Sequence, residues 1–155
     1  MMTLSHFTGM PFVFDPTRIY RQSVGLNYKP NGLWLSDESE YGWKKWCTDQ
    51  DYGSPDYETK FNVDTKNVLV LSSGKMIDDF TKEYSKSRQI GGIQDMPSSN
   101  FMGSNLIEWG RVIERYDGII ISPYVWECRV KYIWYNPWDC ASGCIWNLAC
   151  LTECK

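Results

Sequence analysis

The sequence contains one histidine, His6, in the stretch TLSHFTG at residues 3–9. A single imidazole leaves no room for a multi-histidine metal site or a two-histidine relay, and it strains a chymotrypsin-like triad. The nearest polar neighbours of His6 are Ser5 and Thr8. In a short N-terminal strand such a residue is first of all structural. The carboxylates that stand near apolar residues are Asp37 after GLWLS, Asp117 in RYDGIII, Glu127 beside Trp126 and Asp139 in PWDCASG. Each has a structural reading as a helix cap, a turn residue, the polar face of a strand and an Asx-type turn respectively. Asp139 stands out, because Trp138 beside it would strip water from its carboxylate. Ser142 precedes Gly143 but lies outside any Gly-x-Ser-x-Gly elbow. Cys47 and Cys144 would act as nucleophiles only with His6 brought to them in space.

The residues at 29–47, KPNGLWLSDESEYGWKKWC, place Trp34, Trp43 and Trp46 behind a Pro-Asn-Gly turn. Two readings are open for this stretch. It is an ordinary turn–strand–helix unit, or it is one wall of a pocket for a flat ligand. Aromatic residues make up 15% of the chain, with eight Trp, ten Tyr and six Phe. Most of them read as core, and the clustering near turns points a few toward a cleft.

The elements that must carry these residues follow from pattern. Strands are expected at TLSHFTG, at GLWLS and around a turn near residues 64–67 in TKFNVDTKNVLVLSS. Further strands are expected at DGIIISPY, at the alternating VWECRVKYIWY, and at SGCIWNL as the last strand. Ser36 or Asp37 would cap a helix over about residues 38–47. Met76, Ile77, Phe80 and Tyr84 have helical spacing, as do Leu106, Trp109, Val112, Ile113 and Tyr116. Residues 91–104 read as a long loop. The order lacks the regular alternation of a doubly wound sheet and has no Gly-rich phosphate loop. The expectation is an α+β fold, a single compact domain over 1–155, with two small, mostly antiparallel sheets and flanking helices.

Bulk properties narrow the partners. The chain has 155 residues, 43% apolar and 23% charged, with a net charge of −3. It has no basic tail, which disfavours duplex DNA held by phosphate neutralisation. It has no apolar run of about 18–20 residues and no secretory signal pattern at its start. A cytoplasmic protein without a membrane span is expected, with its six cysteines reduced. Cys140, Cys144, Cys150 and Cys154 are separated by three, five and three residues. That spacing matches no zinc motif, so no metal is expected, and buried structural thiols are. A disulfide near the C-terminus remains the alternative in an oxidising compartment.

The succession SHFTG, then NGLWLSDESEYGWKKWC, then YDGIIIS, then a late strand resembles the NAD-binding half of ADP-ribosyltransferases of the diphtheria-toxin and poly(ADP-ribose) polymerase kind. In that family a first strand carries a His, followed by Ser or Thr, that contacts the adenosine ribose. The second strand reads Gly-aliphatic-aromatic-apolar-small, as Gly32-Leu33-Trp34-Leu35-Ser36 does here. Two aromatics then sandwich the nicotinamide ring. The resemblance implies an NAD-using ADP-ribosyltransferase or NAD glycohydrolase with NAD as substrate and a protein, a nucleobase or water as acceptor. His6, Thr8, Gly32, Trp34, Ser36 and one of Trp43 and Trp46 would bind NAD. At the family's catalytic Glu stands Ser142, so Asp139 or Glu127 would supply the missing charge. The alternative is a module on the same fold that has lost catalysis and binds a nucleotide, a protein or single-stranded nucleic acid.

Overall fold

The computed structural model describes residues 1–24, 27–53, 55–87 and 105–155. The loop expected at residues 91–104 lies outside them. Four helices and nine strands are described. The strands are β1 (Met2–Thr8), β2 (Leu33–Ser36), β3 (Tyr57–Val63), β4 (Val68–Leu71), β5 (Ser85–Ser87), β6 (Asn105–Ile107), β7 (Gly118–Ile121), β8 (Ser142–Ile145) and β9 (Leu151–Glu153). The helices are α1 (Trp43–Asp49), α2 (Gly74–Tyr84), α3 (Trp109–Ile113) and α4 (Trp126–Lys131). Seven strands form one sheet in the order β4-β7-β8-β2-β1-β3-β9, and β5 pairs with β6 apart from it. All neighbours in the large sheet run antiparallel except β4 and β7. The fold is therefore α+β, as expected.

The large sheet has a weak seam. β1 and β2 share one registered pair, Ser5 with Ser36, whereas β1 and β3 share seven. The two small sheets expected from sequence are thus two halves of one sheet, β9-β3-β1 and β2-β8-β7-β4, joined at a single pair. The four strands carrying SHFTG, GLWLS, DGIII and SGCI are consecutive neighbours, β7-β8-β2-β1.

Period-two side-chain alternation builds a core on each face of the sheet. Ile119, Ile121 and Cys144 pack with the helices and with Trp109, Trp134 and Trp138. Ile120, Ile145, Leu33 and Leu35 pack on the opposite face with Leu4 and Phe61. Trp34, between Leu33 and Leu35, falls on the tryptophan side. In α2, Ile77, Phe80 and Tyr84 are buried, and the Ser73 hydroxyl caps the helix by accepting from Met76 N–H at 3.4 Å. Met76 itself, expected on the buried face, is exposed.

Four expectations are corrected. VWECRVKYIWY holds the helix α4, not a strand: only Cys128 of the helix is buried, and Trp126 and Val130, four apart, both face out. The alternating letters therefore do not mark alternating faces. SGCIWNL is not last: β8 is central, and β9 follows it at the sheet edge. Leu106 lies in β6 rather than on the helix, which begins at Trp109. Helix α1 begins at Trp43, because Asp37–Glu40 is spent on turns in which Ser39 N–H and Glu40 N–H bond back to Asp37.

Candidate functional site

The ladder between β1 and β2 stops after Ser5 and Ser36, although β1 continues to Thr8. The backbone carbonyl of Trp34 is taken up by a side chain. His6 Nδ1 lies 2.8 Å from it. A carbonyl only accepts, so Nδ1 carries the proton and Nε2 is the free acceptor of the neutral ring. Burial lowers the His6 pKa, opposed by the bond to Trp34, and this favours that neutral form. Phe12 packs edge-on against the imidazole at 4.5 Å.

A cleft of about 280 Å³ opens at this seam, lined by His6, Phe7, Lys29, Trp34, Leu35, Ser36, Trp43, Asp139, Cys140 and Ser142. Its size is near the lower end for small-molecule sites, about 300–1,000 Å³. A second cleft of about 220 Å³ shares Phe7 and Trp43 as walls and contains Thr8, Cys47 and Tyr52. The two adjoin along one aromatic partition.

Ser36 anchors one side. Its hydroxyl donates to Glu38 Oε1 at 2.5 Å and accepts from Trp43 N–H at 2.7 Å. The Cys140 thiol also bonds with this hydroxyl, so the one donor and two acceptor positions of Ser36 are engaged within the fold. The bond from Trp43 N–H ties the start of α1 to β2 and sets Trp43 in the cleft wall. The next residue, Lys44, reaches across the seam to Glu58 of β3 at 2.6 Å, and Glu58 accepts from Ser5 at 2.7 Å. Asp37 takes no part in the cleft. It is buried and accepts from Ser122 at 2.6 Å and Ser39 at 2.5 Å, linking β2 to the end of β7.

The aromatics divide. Trp34 packs edge-on to the buried Trp138 at 4.9 Å, and Lys29 Nζ lies 4.8 Å from the Trp34 ring centroid. Trp43 stacks on Trp46 at 4.7 Å with planes 12° apart. Trp43 lines the cleft and Trp46 does not.

Asp139 reaches the cleft with Trp138 buried beside it in sequence. Its carboxylate accepts from Arg129 at 3.3 Å. Ser142 is buried, pairs in register with Ser36, and donates to the Cys140 carbonyl at 3.0 Å. Burial pushes the Cys140 thiol up to about 12, so it is a poor nucleophile near neutrality. Cys144 is likewise buried, bonds to the Pro30 carbonyl at 3.7 Å and has its thiol pKa raised. Cys47 is buried with a raised pKa and lines the second cleft. All six cysteines are free thiols, and no cluster of potential metal ligands occurs among the described residues. No described helix is long and apolar enough to cross a membrane.

Of the residues expected at the site, His6, Trp34, Ser36, Trp43, Asp139 and Ser142 come together. Four do not. Thr8 lines the second cleft and donates to the Met10 carbonyl at 2.7 Å. Trp46 is covered by Trp43. Glu127 is exposed in the first turn of α4, its Oε1 near Gly74. Gly32 is glycine for packing: a Cβ there would stand 2.5 Å from Cys144 Sγ and 2.6 Å from the Ile145 carbonyl oxygen. Pattern reading missed Lys29 and Cys140 as cleft residues. Lys29 lies in the quoted stretch, but nothing in its spacing marks it as near a cleft.

No protein-family model, curated protein or solved structure matches the chain at a significant level.

Proposed function

We propose that the chain binds NAD in the seam cleft and cleaves its nicotinamide–ribose bond, passing ADP-ribose to a protein, a nucleobase or water. The observation that carries this reading is the convergence of His6, Trp34, Ser36, Trp43 and Asp139, drawn from four separate segments, on one cleft. Trp34 and Trp43 offer aromatic faces to a planar cationic ring. Ser36 holds Trp43 in the cleft wall through the bond from Trp43 N–H. His6 Nε2 accepts from a ribose hydroxyl. Asp139 supplies negative charge where an oxocarbenium develops at C1′.

In the step itself the C1′–N1 bond breaks and its electron pair goes to the ring nitrogen. Neutral nicotinamide leaves. The acceptor's nucleophilic atom then bonds C1′ and gives up its proton. Positioning and charge carry the rate, as no covalent intermediate with the chain is required.

A second reading has its own support. Ser142 stands where the resembled family has Glu, and Asp139 is already tied to Arg129. Both favour a nucleotide-binding module without turnover. Tryptophan quenching by NAD with release of nicotinamide supports the enzyme. Quenching without release supports the module. The absence of both removes the NAD reading.

A further inference from the structure

The cleft holds a cation of its own. Lys29 precedes the turn into β2, and its Nζ stands 4.8 Å from the centroid of Trp34 while the residue also lines the cleft. Asp139 lines the same cleft but is ion-paired to Arg129. Two charges of opposite sign therefore border one space, and the positive one lies over the ring of Trp34, one of the cleft's walls. An ammonium over an indole gains from the ring quadrupole, and a pyridinium stacked there competes for the same attraction while being repelled by the ammonium.

From this we infer that Lys29 is a charge-discriminating residue of the cleft: it disfavours a cationic ring on Trp34 and favours its loss as a neutral one. The inference rests on the NAD reading above. Bound NAD carries its positive charge on the nicotinamide ring. When the C1′–N1 bond breaks, the pair returns to that ring, which becomes neutral, and positive charge develops at C1′. Lys29 raises the energy of the first arrangement, and Asp139 lowers that of the second. Interaction that is worse in the ground state than in the transition state accelerates the step.

The test compares the wild type with Lys29→Met and Lys29→Arg by calorimetry, with oxidised and reduced NAD as probes. The two share the same phosphates and adenosine, and only the oxidised form has a charged ring. Lys29→Met is expected to tighten oxidised NAD by about three- to tenfold and to leave the reduced form within about twofold. Lys29→Arg is expected to behave as the wild type. Nicotinamide release by Lys29→Met should show lower KM together with lower kcat, the signature of lost ground-state destabilisation. Equal tightening of both dinucleotides would overturn the inference, and weaker binding of both would overturn it and assign Lys29 to the phosphates. If wild type and variant bind neither, the NAD reading falls and this inference with it.

Discussion

His6 Nδ1–H donates to the carbonyl oxygen of Trp34 at 2.8 Å, at the seam where β1 and β2 cease to pair. The bond fixes the tautomer and aims Nε2 as an acceptor. Burial lowers the imidazole pKa against the opposing effect of that bond. The folded protein therefore binds fewer protons at His6 than the unfolded chain does. This stabilisation is present above the unfolded pKa of about 6.5 and is lost as pH falls through the lower folded value. His6 is the only histidine, so one imidazole resonance reports it directly. A midpoint below about 6.5 is expected, and a midpoint at or above it would contradict the burial argument.

The two cleft tryptophans should separate under mutation. Trp34→Ala removes an edge contact to Trp138 at the margin of the core and is expected to cost about 2–3 kcal/mol in urea denaturation. Trp43→Ala leaves Trp46 to cover the surface of α1 and should cost about 1 kcal/mol or less. Both should weaken NAD binding. If Trp43→Ala binds NAD as well as the wild type, the aromatic partition between the clefts has no part in recognition.

The sheet seam and its cleft were only partly legible in the chain. Strand pattern located β1, β2, β7 and β8, because alternation and turn residues are local. It could not show that β1 and β2 meet at one pair, since register depends on partners far away in sequence. Alternating letters mislead at α4, where a six-residue helix with one buried residue leaves no helical stripe to read. At the site, the motif residues His6, Trp34, Ser36 and Asp139 were legible. Gly32 lies outside the cleft lining, and its close packing against Cys144 and Ile145, more than a hundred residues on, is not a local signal. Lys29 was overlooked because a lysine before a turn looks like any solvated charge.

Glycine substitutions test the packing of β8 in the sheet centre. A Cβ at Gly143 would stand 2.7 Å from Ile120 Cγ1 and 2.9 Å from the Ile119 carbonyl oxygen. Gly143→Ala is expected to destabilise by about 1–3 kcal/mol. Gly110, inside α3, has nothing within 4 Å of its Cβ position. Gly110→Ala should stabilise by about 0.5–1 kcal/mol. Thermal melts of the pair check both signs, and a stable Gly143→Ala would contradict the close approach of β7 and β8.

Thiol labelling reads burial at the cleft. Cys47, Cys128, Cys140 and Cys144 are buried, and Cys150 and Cys154 are partly exposed. Under native conditions a maleimide should modify Cys150 and Cys154 first. The four buried thiols should react only with unfolding, as intact-mass spectra and peptide mapping would show. Rapid native labelling of Cys140 would mean that the cleft opens far more deeply than its walls indicate.

Release of free nicotinamide from NAD tests the central claim most directly, followed by proton NMR with wild type, Asp139→Asn and His6→Ala. The account predicts steady release by the wild type. Asp139→Asn should release at least about a hundredfold less while still quenching tryptophan fluorescence with NAD, as expected when charge stabilisation alone is removed. His6→Ala should lose both binding and release. Wild-type protein that neither releases nicotinamide nor binds NAD would contradict the account, and so would an Asp139→Asn variant as active as the wild type.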